Sequence, residues 1–225
     1  MTPVEALTST LLSYLLALAL YRLSGGRPLF QPVVTGILIM IGYLLWRDVD
    51  YSTYFSQAQA IHTLLGTATV ALAIPLYESR HRIRQFARPI VIAVITGGTI
   101  AAASSIMLAR WLGLPDELVI TVAPKSVTTP IALALSDALG GLPALSGAIV
   151  IITGMLVALA GPLVERQVSH LSLGLAMGLS GHGIATARAF GVHGEAGAFS
   201  ALAMGLTGIY TSFLLPVLLP LFGLY

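Results

Sequence analysis

Lys125 is the only lysine in a chain of 225 residues, and it stands in the string Pro124-Lys125-Ser126-Val127-Thr128-Thr129-Pro130. Apolar residues flank that string on both sides. An ammonium held at membrane depth costs about 2.5–3.5 kcal/mol on insertion scales, so such a group normally has a task. One reading is a side chain that snorkels along a short helix to the interface. The other is a cation that faces an anionic substrate. Ser126, Thr128 and Thr129 place hydroxyls beside it. Those hydroxyls can cap a broken helix, bind substrate, or do both. A helix that starts at Thr129-Pro130 has proline in its first turn and aims free amides at the gap. Such amino termini attract carboxylates.

A second polar string, Ser180-Gly181-His182-Gly183, interrupts another apolar stretch, and Arg188 follows it. His182 reads either as a packed, hydrogen-bonded core residue or as part of a site. An imidazole titrates near pH 6.5 and suits a proton-linked step. Its neighbours Ser180 and Gly183 belong to the same candidate site. Arg188 can bind a carboxylate through two parallel hydrogen bonds, or end a helix at the interface. Asp137 can neutralise Arg188 or cap a helix.

Other chemistry is missing from the pattern. The chain has no cysteine, which excludes disulfides, iron–sulfur clusters and thiol catalysis. No hydrolytic triad, metal cluster or phosphate loop is legible, so the expectation is a protein that is not an enzyme and needs no cofactor or metal. No basic stripe interleaved with aromatics points to nucleic acid.

The elements that must position these residues are apolar. Hydrophobic residues make up 56% of the chain and charged ones 9%, against about a quarter charged in soluble domains. A span needs roughly 20 apolar residues. Runs at 6–21, 33–46, 62–77, 89–112, 143–163 and 196–221 read as spans, the segment 47–59 as a surface loop, and 78–88 as the most basic stretch. The first run has Glu5 where a signal peptide would carry basic residues, and Arg22 and Arg27 follow it, as in a retained span. Short loops rich in Lys and Arg stay in the cytoplasm, which puts 78–88 inside.

Segments 117–140 and 172–191 do not read as ordinary spans. Each has a helix-breaking polar middle, and backbone opened that way survives only inside protein or beside a wet cavity. A shift of 54 positions (180 − 126) lays Ser126 on Ser180, Gly140 on Gly194, Ala144 on Ala198 and Ser146 on Ser200. It also lays Thr153-Gly154 on Thr207-Gly208 and Pro162 on Pro216. A unit of one re-entrant hairpin plus one span crosses the membrane an odd number of times, so its copy is inverted; two broken helices that cross fully are the alternative. The expected fold is thus an all-α integral membrane protein with about six full spans, two broken or re-entrant segments and an inverted repeat. Residues 1–112 would form a four-span scaffold, and 113–225 a transport core of two units, about 117–163 and 172–221.

The strings PKSVTTPIALALSDALGGLPALSGAIVIITG, SGHGIATARAFG and GAFSALAMGLTGIYTSFLLPVL, with the earlier GTATVALAIPLYES, resemble the LrgB/CidB family. The likeness covers nearly the whole chain and is most specific at 125–130 and 182–189. Thr67 departs from it, standing where relatives often carry proline. The resemblance implies a multi-pass protein of the bacterial cytoplasmic (inner) membrane. It offers two functions: antiholin-like or holin-like control of murein hydrolase export and lysis, or transport of small monocarboxylates such as pyruvate, glycolate and glycerate. Some members of that family work with a small LrgA/CidA-like membrane partner, which is an expectation here too, and the chain is expected to form a homo-oligomer. The buried cation in a broken-helix repeat favours a carrier, coupled to protons or another cation.

Overall fold

The computed structural model describes residues 1–27 and 30–224, apart from the side chains at 62 and 65–69. The departure at Thr67 lies among those side chains, outside the described residues. All regular structure among the described residues is helical. The chain forms two compact units, Met1–Ala73 and Ile74–Tyr225.

In the first unit, α1 (Pro3–Leu23) opens with a capping box, in which Thr2 and Glu5 exchange side-chain-to-backbone hydrogen bonds. Glu5 also accepts from the Tyr43 hydroxyl at 3.1 Å and pairs with Arg47 at 2.8 Å. The start of α1 therefore lies beside the end of α2 (Pro32–Trp46), and the two helices run antiparallel. Gly36 of α2 faces α1 at Ser13, Tyr14 and Ala17. The segment expected as a loop, 47–59, instead holds a helix, α3 (Tyr51–Gln57), which follows Asp50 at the N-cap position. Its Tyr54 hydroxyl lies 2.9 Å from that of Thr10. The helix α4 (Gln59–Ala71) completes the unit.

Six spans were expected; four helices among the described residues are long and apolar enough to cross a membrane. They are α1, α7 (Ala87–Trp111), α10 (Pro143–Val164) and α12 (Gly194–Leu221). The count rises to five only if α2 and α3, bent by 114°, make one broken span. At 15 residues, α2 reaches only about 22 Å, short of a core about 30 Å thick. The run at 62–77 is divided between α4 and α5 (Ala73–Glu78). Pro75 has no amide to bond the Ala71 carbonyl four residues back, and α4 stops there.

The second unit carries both polar strings. After α6 (Arg80–Gln85), α7 and α12 run parallel. Ile90 and Val94 pack with Phe199 and Ala203. Further along, the Thr99 and Tyr210 hydroxyls meet at 2.6 Å, and Ala102, Ile106 and Ala109 cluster with Leu215, Leu218 and Leu219. Within this second unit α7 is thus buried along α12. Between these two helices in sequence lie α8 (Asp116–Val122), α9 (Thr129–Ala138), α10 and α11 (His170–Val192).

Candidate functional site at two hairpin tips

The first polar string becomes a hairpin. Its limbs are α8 and α9, and its tip is 123–128. Pro124 and Pro130 explain the break: neither can donate to a helical ladder. Gly140, with φ 82°, ends the second limb in a left-handed cap. The chain then returns to its own first limb. The Leu142 amide donates to Thr121 Oγ1 at 2.8 Å, and a side chain at Gly141 would collide with Thr121 and Ser136.

The second polar string is also a hairpin, although its backbone stays nearly continuous. A single residue, His182, leaves helical geometry, at φ 41° and ψ −133°. A residue with a Cβ held there carries strain of about 1–3 kcal/mol. The halves 170–181 and 183–192 fold back on each other, so Leu173 and Met177 cluster with Ala185 and Ala189. At the open end the His170 and His193 rings stack, with centroids 4.1 Å apart. Small residues permit this. A Cβ on Gly174 or Gly178 would run into the carbonyl of Ala196 or Ser200 on α12.

The two hairpins lie along α10 from opposite ends. Leu133 and Thr129 pack at Gly147, and Val127 joins Val150 in one buried cluster. From the other end, Met177 packs at Gly161 and Gly181 meets Val157. His182 Nε2 then reaches the Val150 carbonyl at 2.9 Å, donating to it. Val150 is thus touched from both tips.

The candidate residues divide into three groups. Lys125 and Ser126 stand together, with the ammonium donating to Ser126 Oγ at 3.1 Å. No acidic side chain pairs with Lys125 among the described residues. Thr128 is the N-cap residue of α9 but makes no side-chain cap bond, so the first-turn amides of Thr129 and Ile131 have neither a cap nor a helical acceptor. Ser180 and Gly183 are exposed on either side of buried His182, and Gly183 faces open space. Arg188 is apart from both tips. It pairs with Glu165 at 2.8 Å at the end of α10, not with Asp137.

Several residues that shape the site escaped the sequence reading. Gly154 gives the imidazole its room, since a Cβ there would lie 2.7 Å from His182 Cε1. Thr186 donates to the His182 carbonyl at 2.7 Å and lies 2.8 Å from Ser200 Oγ, which satisfies polar atoms at the kink. Thr121 locks the other hairpin. Gly154 had one signal, its place in the Thr-Gly pair of the repeat; the others had none.

A sequence profile described as the LrgB-like family matches residues 10–221. The chain belongs to the LrgB-like family. It is 34% identical to the Bacillus subtilis (strain 168) protein YwbG over 96% of this chain and 97% of that protein. It is 35% identical to a Haemophilus influenzae protein over 84% of this chain and 83% of that one. It is 27% identical to a protein of Bacillus mycoides named antiholin-like protein LrgB, over 99% and 98% of the two chains. No solved structure matches. Family membership and the apolar helices make this LrgB-like chain a membrane protein.

Proposed function

We propose that this LrgB-like protein is a secondary carrier of small organic monocarboxylates of the pyruvate, glycolate or glycerate class, coupled to protons or another cation. The observation that carries the reading is the meeting of two hairpin tips at Val150, one of them bearing a lysine with no acidic partner among the described residues. A carboxylate held there would accept from Lys125, the Ser126 and Thr128 hydroxyls and the first-turn amides of α9, charge-assisted donors that favour an anion. Ser180 and Gly183 would line the opposite side. His182 would supply a proton-sensitive contact. The protein would act without chemical transformation of its substrate.

We read the second unit as an inverted repeat, which would suit a carrier. The 54-residue shift carries α9, 129–138, onto 183–192, the second half of α11. It carries α8 onto 170–176 and α10 onto 197–218, inside α12. Paired hairpins from opposite faces that meet at depth are the arrangement carriers use for alternating access. Arg80, Arg82, Arg84 and Arg88 gather at one end of the unit, where Arg82 pairs with Glu195 at 3.0 Å. By the positive-inside rule that end faces the cytoplasm of a bacterial inner membrane. We further propose a homo-oligomer that accepts a small LrgA/CidA-like partner.

The test is uptake of labelled pyruvate, glycolate and glycerate into proteoliposomes. Accumulation of one of them above protein-free vesicles is expected; none of the three entering would remove the carrier reading. The second reading, an antiholin-like regulator of murein hydrolase export, is favoured by the name of the Bacillus mycoides relative. Under that reading, expression changes secreted murein hydrolase activity while reconstituted uptake stays absent.

A further inference from the structure

At the open end of the α11 hairpin, three side chains converge that the sequence keeps apart. His170 begins α11, His193 is the N-cap residue of α12, and Glu195 lies in the first turn of α12. One ligand atom from each lies within 4.8 Å of the others. Both histidines are exposed, so water and solutes reach them. We propose that these residues form a binding site for one divalent transition-metal ion of the zinc class, independent of the carrier reading and distant in the fold from the hairpin tips.

The donor set argues for that class. Two imidazoles and one carboxylate suit zinc, cobalt, nickel or copper, whereas calcium and magnesium prefer all-oxygen shells. Three protein ligands leave a further position for water. The rings are nearly parallel, with 14° between their planes. Their in-plane lone pairs therefore do not yet converge, and a bound ion requires one ring to tip. Exposure on the hairpin's open end leaves room for that. A neutral imidazole has one lone pair, and His193 Nδ1 now spends it on the Glu195 amide at 3.1 Å. Metal binding exchanges that hydrogen bond for a coordinate bond. Glu195 Oε1 lies 3.0 Å from the Arg82 guanidinium. The ion and Arg82 therefore compete for one carboxylate.

The consequence is regulatory. An ion held by His170 and His193 ties the residue that opens the hairpin to the residue that follows it. It also weakens the Arg82 link between α6 and α12. A metal bound here makes the hairpin stiffer at its base and loosens the arginine-rich helix beside it.

The full chain, purified in detergent with any affinity tag removed, is titrated with Co²⁺ as a spectroscopic probe and Zn²⁺ as competitor. One Co²⁺ per chain is expected, with the visible absorption of a four- or five-coordinate ion, displaced by Zn²⁺. His170→Ala and His193→Ala each weaken binding more than about tenfold, a loss in the range that even outer ligands show. Arg82→Gln tightens it, and His81→Ala leaves it unchanged. Absence of stoichiometric binding, or binding that survives both histidine substitutions, overturns the proposal. If the variants elute as misfolded protein, chemical modification of the parent decides instead. Zn²⁺ should shield His170 and His193 from diethylpyrocarbonate as read by mass spectrometry, and unshielded histidines would overturn the site.

Discussion

The two hairpins of the second unit solve one problem with different residues. Both turn the chain back inside an apolar bundle and must satisfy the backbone at the turn. The first spreads its break over residues 123–128, with Pro124 inside it and Pro130 just beyond, and ties its first limb to the chain after its second through Thr121, which accepts from the Leu142 amide. The second concentrates its break in His182 and closes by glycine-mediated contact with α12. The difference teaches where adaptability lies. Lys125 is half-buried, and among the described residues its ammonium bonds only to its neighbour Ser126. His182 is buried, bonded to Val150 and supported by Thr186. One tip presents a charge with freedom to meet a ligand; the other is built to hold its geometry.

The largest effect that bears on this contrast is expected at Lys125. Lys125→Ala should leave inserted, folded protein whose uptake of the preferred monocarboxylate falls at least about tenfold, the loss of one charge-assisted hydrogen bond. Uptake equal to the parent's would take the lysine out of the site. Next comes Gly178→Ala in the rigid hairpin. The new methyl meets the Ser200 carbonyl, and overpacking of this kind costs about 1–3 kcal/mol. Thermal unfolding in detergent, followed through the tryptophans, checks it.

The helical class, the membrane setting and both interrupted segments were legible in the sequence, because hydropathy and helix breakers are local signals. The short reach of α2 and the division at Pro75 are local too, yet the apolar runs there masked them. The helix α3 was missed because its sequence, Tyr51–Gln57, is polar and aromatic without a clear apolar stripe. Lys125 and His182 stood out by residue type. Their common neighbour Val150, the room made by Gly154 and the Arg188–Glu165 pair depend on which helices lie side by side, and one sequence carries no such information.

That ion pair supplies a smaller test. Arg188 and Glu165 are partly buried, so Arg188→Gln should cost about 1.5–3 kcal/mol, the range of a hydrogen bond to a charged group. The Glu165→Gln, Arg188→Gln double variant should lose less than the sum of the single losses. Full additivity in unfolding experiments would show that the two do not interact, and loss of uptake without loss of stability would return Arg188 to the substrate site. His182→Gln should flatten the pH profile of uptake between about pH 5 and 8; a profile identical to the parent's would free the histidine from the coupling step. The smallest effect is expected at Gly183, where a methyl meets open space. Gly183→Ala should change stability by no more than about 0.5 kcal/mol, which separates tolerance at the mouth of the tip from intolerance at Gly178 on the same helix.

The stacked His170 and His193 rings also bear on how the protein is made. Because α11 starts and ends at one place, the translocation machinery never has to carry a polar loop across the bilayer for it. The nascent hairpin can wait at the membrane surface after α10 is inserted. Its glycine face has no partner until Ala196 and Ser200 emerge from the ribosome with α12. The next helix to be synthesised, α12, is therefore the one that seats the hairpin, and a ribosome stalled before it should leave 170–192 open to protease from the side on which it was made.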